Sequence, residues 1–526
     1  MVRTLIRWAR TERRHTRTRF TLVFGGVFAL IGFALALGTA SLGAIEFDTT
    51  AVNVDLLAAG VLGIGVLWIV VPLLLGIRDT PDPGHLALLP LRTRTMMAGA
   101  FANVLLSPAA ILTVIALAGL VVFSFRGGVL SVLVAVVAAG LQLVLILLLS
   151  RVVVASIGTS LSARGWRVIG QAAFALIASC AWVLRFALDD AADQLIAQNN
   201  PALSQTLRLL PTGWAVSAIE GATRADAVAT LVPLLGLAVA CGLLRAAWSA
   251  LVARSVIRTT IARPATGATA RTRAVASPLA ASLRKELLLW ARDERRTMSL
   301  LVAICSGIAL GVLMAAMGVP GMLPYGGLCA LVVAIFIAAN LYGFEADRLW
   351  TTLTAPGAAR ADVLAKQLAW LIVHTPPVVL LTVIPILAAG EPATYAIPWL
   401  AASVPVMLGT GIAASVLMST LIAWAMPRTG VGAQLPFRLI LGPRQFISIT
   451  IIATAIATAL LLPLTAVLIG VVSDATWLQW AGAPLGIAIG ACSILLATRP
   501  ASRQLERRGP EILDRTTANV GLLQVL

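Results

Sequence analysis

Runs of about 20 apolar residues recur along the whole chain, each long enough to cross the roughly 30 Å hydrocarbon core of a bilayer. "FTLVFGGVFALIGFALALG" at 20–38 is the first of them. A soluble protein needs charge to cover its surface, yet 59% of these 526 residues are hydrophobic and only 12% are charged. Inside a bilayer no water satisfies the backbone, so segments of this length must be helices. The expectation is an all-α polytopic membrane protein with about 12 transmembrane helices. The spans fall near 20–42, 54–77, 101–124, 128–150, 168–188, 229–252, 298–318, 324–343, 367–389, 397–425, 447–471 and 477–498.

Charge between the spans fixes an orientation. The formal net charge of +17 comes almost wholly from arginine. The arginines concentrate in alternate connections: 1–19, 78–100, 151–167, 253–297, 344–366, 426–446 and the stretch from Arg499. The other connections hold only Arg126, Arg208 and Arg224. By the positive-inside rule the first set is cytoplasmic, which puts both termini in the cytoplasm of a multi-pass protein of the cell membrane. The same rule accounts for the basic balance without nucleic acid. The five cysteines lie in apolar runs without metal-ligand spacing.

A charged heptapeptide occurs twice: "WARTERR" at 8–14 returns as "WARDERR" at 290–296, each just before an apolar span. Ser277 and Pro278 make a cap and a first helical position ahead of the second copy, and Leu279, Leu283, Leu287 and Trp290 form one apolar stripe. Both copies therefore predict amphipathic helices on the cytoplasmic surface. Trp8 and Trp290 would sit at headgroup depth, with Arg10, Arg14, Arg292 and Arg296 toward lipid phosphate. The repetition continues: Pro90 and Arg94 in one cytoplasmic segment match Pro356 and Arg360 in the other, and the next spans carry Pro108 and Pro376–Pro377, where kinks are expected. The chain thus divides into a first six-span half (1–254), a basic linker (255–277), a second six-span half (278–498) and a tail (499–526). An even number of spans per half makes the repeats parallel.

These features resemble the ABC-2 type permeases of ATP-binding-cassette exporters. "RKELLLWARDERR" at 284–296 looks like the basic helix that opens such permeases. "NLYGFEADRLWTTLTAPGAARADVLAKQLA" at 340–369 looks like the exit from their second span. "LLPTGWAVSAI" at 209–219 resembles their outer Pro-x-Gly-Trp segment. The resemblance implies a fused permease with both halves in one chain. No Gly-x-x-x-x-Gly-Lys-Ser/Thr loop is present, so ATP and Mg would be handled by two copies of a separate ATPase subunit. Docking would use the hairpins 78–100 and 344–366, through Arg78, Asp79 and Arg94 in one half and Glu345, Asp347, Arg348 and Arg360 in the other. The cargo implied is an apolar or amphipathic small molecule, peptide or lipid. It would pass between the halves near Asn103, Gln142, Gln171 and Asn340, under an outer lid at Pro211, Gly213 and Trp214.

Two other classes remain. A proton-coupled drug carrier needs ionisable groups within the membrane. Asp55 sits at an outer edge, and Arg185 and Arg245 lie within snorkelling reach of an interface. Well inside the spans only His374 remains, beside Pro376 and Pro377, where a hydrogen-bonded histidine at a kink is the simpler reading. A lipid-modifying enzyme needs a polar cluster at one face, and Asp189, Asp190, Asp193 and Glu220 are the acidic residues available outside. Asp189 has Arg185 one helical turn away as an ordinary partner. The chain is therefore expected to be a transport subunit and not an enzyme.

Overall fold

The computed structural model describes residues 32–34, 36–45, 49–75, 93–162, 191–259, 277–316, 318–390, 394–425 and 443–517, with isolated positions 173, 175, 176 and 179. All regular structure among them is helical. The helices are α1 (Thr50–Leu75), α2 (Thr93–Leu105), α3 (Pro108–Ser124), α4 (Gly128–Ser162), α5 (Pro201–Leu209), α6 (Trp214–Thr223) and α7 (Ala227–Thr259), followed by α8 (Pro278–Arg292), α9 (Glu294–Ala316), α10 (Gly326–Ala338), α11 (Leu341–Glu345), α12 (Trp350–Leu353), α13 (Ala358–Ala389), α14 (Ile397–Leu421), α15 (Pro443–Val472) and α16 (Thr476–Thr517).

Three helices begin with the same device. Ser107, Asn200 and Ser277 each accept a hydrogen bond from the backbone N–H three residues on, and each is followed by proline. The side chain satisfies a free N–H, and the proline takes a position where no N–H is needed. The cap at Ser277 is where the sequence places it.

Among the described residues nine stretches are long and apolar enough to cross a membrane. One of them, Pro108–Ile157, holds both α3 and α4. The helix stops in a 3-10 turn at Phe125–Gly127, and Gly128 takes φ 81, a value that favours glycine. The protein is a polytopic helical membrane protein. Most of the expected spans at 20–42 and 168–188, and most of the linker 255–277, lie outside the described residues.

Two boundaries differ from the sequence reading. The expected span 367–389 is the latter part of α13, which starts at Ala358 and runs unbroken through Pro376, Pro377 and Pro385. The expected tail from Arg499 continues the last span as α16, with one non-helical residue at Arg508. Hydropathy marks where a helix becomes polar, not where it ends.

Buried apolar side chains separate along the chain. One large cluster draws on residues from Val52 to Trp248, another on residues from Trp290 to Ile512. A small third cluster joins them through Ile157, Ala175, Met298 and Val302. At that seam Ser179 donates to Val302 O at 3.2 Å and accepts from Ser306 at 3.1 Å. In the second cluster α14 and α16 meet through small residues: a Cβ on Gly409 would lie 2.4 Å from Gly490 Cα. Close backbone approach of this kind holds helices together where lipid is as apolar as leucine.

Candidate functional site

The middle of α8, the start of α9, the hairpin α11–α12 and the first turns of α13 converge on a cluster of ionised side chains. α8 supplies Lys285 and Glu286, α9 Arg296, α11 Tyr342 and Glu345, and α13 Asp362 and Lys366. Three carboxylates face three cations, and all but Lys285 are buried.

Lys366 stands at the centre. Its Nζ donates to Glu286 Oε1 at 2.6 Å, lies 3.1 Å from Asp362 Oδ2 and pairs with Glu345. Arg296 donates to Glu286 Oε2 at 2.6 Å and lies 3.9 Å from Glu345. Lys285, with its side chain 32% exposed, reaches in from the rim to Asp362 at 2.6 Å and to Thr352 at 3.1 Å. Tyr342 donates its hydroxyl to Asp362 at 3.1 Å, and its ring centre lies 4.7 Å from the Lys366 ammonium. Glu286, Glu345 and Asp362 approach one another closely enough to hold a metal ion. The Lys366 ammonium lies among them, within contact of all three, so this is an ion-pair cage rather than a metal centre.

Local structure explains the convergence. Asp293 ends α8 in extended backbone and caps α9, its carboxylate accepting from Arg295 N at 3.0 Å. The chain turns there, so α9 aims Arg296 back at Glu286. Asn340 breaks the chain between α10 and α11, donating to Trp424 O at 2.8 Å and accepting from Trp424 N at 3.3 Å. Ser419 on α14 accepts from Tyr342 N at 2.8 Å. Asp362 and Lys366 then meet the cluster from one face of α13, one helical turn apart.

Burial raises the cost of every charge here, and the neighbours decide how each titrates. Burial pushes Glu286 upward, but Lys366 and Arg296 overcome it and hold the carboxyl well below its usual range. Burial pushes Glu345 upward too; Lys366 opposes this, Glu286 and Asp362 add to it, and the carboxyl ends at about 7. Burial, with Asp362 beside it, holds the Tyr342 phenol well above its ordinary value.

Several expected site residues are placed otherwise. Trp290 does not lie on the surface of the protein. It is buried, with His374 edge-on at 4.8 Å and Arg296 5.6 Å from its ring centre. Arg296 is 1% exposed and pairs with Glu286 rather than lipid phosphate. The apolar stripe of α8 lies against protein, chiefly α13, because Glu286 and Lys285 on the same helix find their partners there. Arg292 alone of these second-half anchors is exposed. Glu345, expected on a docking surface, is 3% exposed within the cage. Arg348 and Arg360 are exposed, with Arg348 3.6 Å from Asp293. Asp347 lies in the 3-10 turn between α11 and α12.

Asn340 is buried and occupied as a helix-end link, so it lines no path. Asn103 is buried on α2, and Gln142 on α4 is buried with neither amide atom hydrogen-bonded. His374 donates its Nδ1–H to Trp370 O at 2.9 Å and stacks on the Trp370 ring, as a structural histidine would. The outer segment is built into the fold. Pro211 is exposed, Gly213 sits where a Cβ would be 2.1 Å from Leu207 O, and Trp214 packs on α7 at Gly236. Arg208 ties this segment to Asp55 at 2.6 Å and to Glu220 at 3.4 Å. Trp8, Arg10, Arg14, Arg78, Asp79 and Gln171 lie outside the described residues, and only the helical backbone of Arg94 is described.

The sequence reading missed Lys285, Glu286, Tyr342, Asp362 and Lys366 as a group. One signal was available: the chain's two lysines, among 39 basic residues, both end in this cage.

No protein-family model matches the chain, and no curated protein or solved structure matches it either.

Proposed function

We propose that this protein is the membrane subunit of an ATP-driven exporter, a fused permease of the ABC-2 type. It moves an apolar or amphipathic small molecule, peptide or lipid across the cell membrane. The observation that carries the reading is the hairpin 344–357: it displays Arg348, Trp350, Thr351, Thr354, Pro356 and Gly357 to solvent while its root is cross-linked in the cage. Trp350 is 56% exposed, and exposed tryptophan beside arginine is the composition of an interface hot spot. A rigid foundation under a sticky tip suits a surface that receives force from a soluble partner. The partner proposed is a pair of separate ATPase subunits, which bind ATP and Mg and press on the hairpins as they close.

The test is recovery of the complex. A candidate partner ATPase is co-expressed and co-purified with wild type and with Arg348→Glu/Arg360→Glu, and ATP-dependent transport is measured in vesicles. The double reversal is expected to cut ATPase recovery about tenfold or more. Unchanged recovery removes the hairpin as the docking surface. One observation favours a second reading, a proton-coupled carrier: the carboxylates missing from the span interiors are gathered at the mouth of α13. Transport that continues without the ATPase and collapses with the proton gradient would replace the exporter by that carrier.

A further inference from the structure

Within the cage every carboxylate oxygen but one has a donor. Glu286 uses both oxygens, on Lys366 and Arg296. Asp362 uses both, on Lys285 and on Tyr342 with Lys366. Glu345 uses Oε1 on Lys366, while its Oε2 is fully buried with no hydrogen-bond partner. A buried carboxylate oxygen without a donor is costly. The one spare donor among the charged groups around it, Arg296 Nε, is itself buried without a hydrogen-bond partner and does not bond this oxygen.

Those groups come from the elements packed against Glu345, and the 3-10 turn that follows it carries Asp347 and the exposed Arg348, which lies 3.6 Å from Asp293. α8 brings Lys285 and Glu286, α9 brings Arg296, and α13 brings Asp362 and Lys366. Arg295 is spent on Asp293 and on Phe344 O at 2.6 Å. α14 carries no charged residue between Ile397 and Leu421. α16 turns Thr498, Ala501, Ser502 and Leu505 inward, while Arg499, Arg503 and Glu506 are exposed. Tyr342 on the same short helix already directs its hydroxyl hydrogen to Asp362.

We infer that Glu345 is a proton-binding site, and that its proton locks the hairpin 341–353 to α8 and α13. The bound proton sits on the carboxyl of Glu345 and is shared with the Glu286 carboxylate. The cage then holds two carboxylates and three cations, and the surplus charge falls to Lys285, the one member that reaches solvent. When the proton leaves, a third carboxylate is ionised in the same buried volume with one oxygen unpaired, and the contact between hairpin and helices weakens. The inference rests on the cage alone and does not depend on the docking of an ATPase.

The direction follows from linkage. Glu345 titrates near 7 in the closed cage against 4.5 when free. The closed form therefore binds the proton more tightly. Its extra stability is complete below about 4.5, falls as pH rises, and is gone above about 7. The opening equilibrium should rise by up to about tenfold per pH unit across that window and level off above it.

The experiment is hydrogen exchange on the full chain in lipid nanodiscs from about pH 5 to about pH 8.5, corrected for the intrinsic rate, following peptides from 278–292 and 341–357. Wild type should give that rise and plateau. Glu345→Gln, whose amide copies the protonated carboxyl, should be flat and as protected as wild type at the acid end. A flat wild-type profile, or a variant that keeps the wild-type slope, overturns the proposal. Infrared difference spectra of wild type alone give an independent reading. A buried protonated carboxyl that disappears near neutral pH supports the site, and its absence overturns it even if the variant fails to fold.

Discussion

Lys366 and Lys285 hold their places in the cage by different means. Lys366 is 1% exposed and paired with three carboxylates, whereas Lys285 enters from the rim. Removing a cation from a buried cluster leaves its partners charged and unpaired, which costs about 3–5 kcal/mol. Lys366→Ala is therefore expected to lower the thermal midpoint of the purified protein steeply and to reduce folded yield. Replacing the group together (Lys366→Met with Glu286→Gln, Glu345→Gln and Asp362→Asn) should recover much of that loss, because the desolvation of the ions is removed with them. A Lys366→Ala protein as stable as wild type, in thermal unfolding followed by circular dichroism, would mean the cage bears no load. This residue-scale chemistry was hidden in the sequence. Its members lie between 285 and 366, and only the pairs Tyr342 with Glu345 and Asp362 with Lys366 have a helical spacing that links them.

At the scale of elements, most of what the sequence offered was correct in kind and incomplete in direction. The apolar runs mark the spans because a bilayer demands about 20 apolar residues whatever their order. The start of α8 was legible because Ser277 and Pro278 are a cap and a first helical position. Its partner was not. An apolar stripe with basic neighbours reads the same whether it faces lipid or another helix, and only Glu286 in the middle of α8 hinted at buried partners. The outer elements show the same limit. "LLPTGWAVSAI" resembles a lid, yet α6 is packed into the first-half core, with Ala215, Val216, Ala218 and Ile219 fully buried. What holds α5 in place is Arg208 between Asp55 and Glu220. Asp55→Asn weakens that bond without removing volume. It should raise the rate of protease cleavage between 196 and 210 several-fold while leaving α8 exchange unchanged. If cleavage matches wild type, α5 is held by apolar packing and the ion pair is incidental.

For the whole molecule, the duplicated register makes the two halves unequal in a definite way. Aligning Trp8 with Trp290 and Pro90 with Pro356 sets Thr4 against Glu286, Met96 against Asp362 and Ala100 against Lys366. Arg3, Arg14 and Asp79 stand against Lys285, Arg296 and Glu345. The first half thus keeps three of the charged positions and lacks the central lysine with two of its carboxylates. Without that centre, the segment 78–100 has no equivalent ionic root in the sequence, although Arg94 repeats Arg360. If both hairpins receive the same partner, the second transmits force through a cross-linked base and the first does not. Single charge reversals separate the two roles. Arg94→Glu and Arg360→Glu should reduce ATPase recovery to similar extents, since each reverses one arginine at matching positions of the two expected docking segments. Coupling should differ: in Arg360→Glu the fall in ATP-driven transport per complex recovered should be several times larger than in Arg94→Glu. Equal loss of transport per complex would mean that the halves share the load, and that the cage stabilises the second half without making it the driven one.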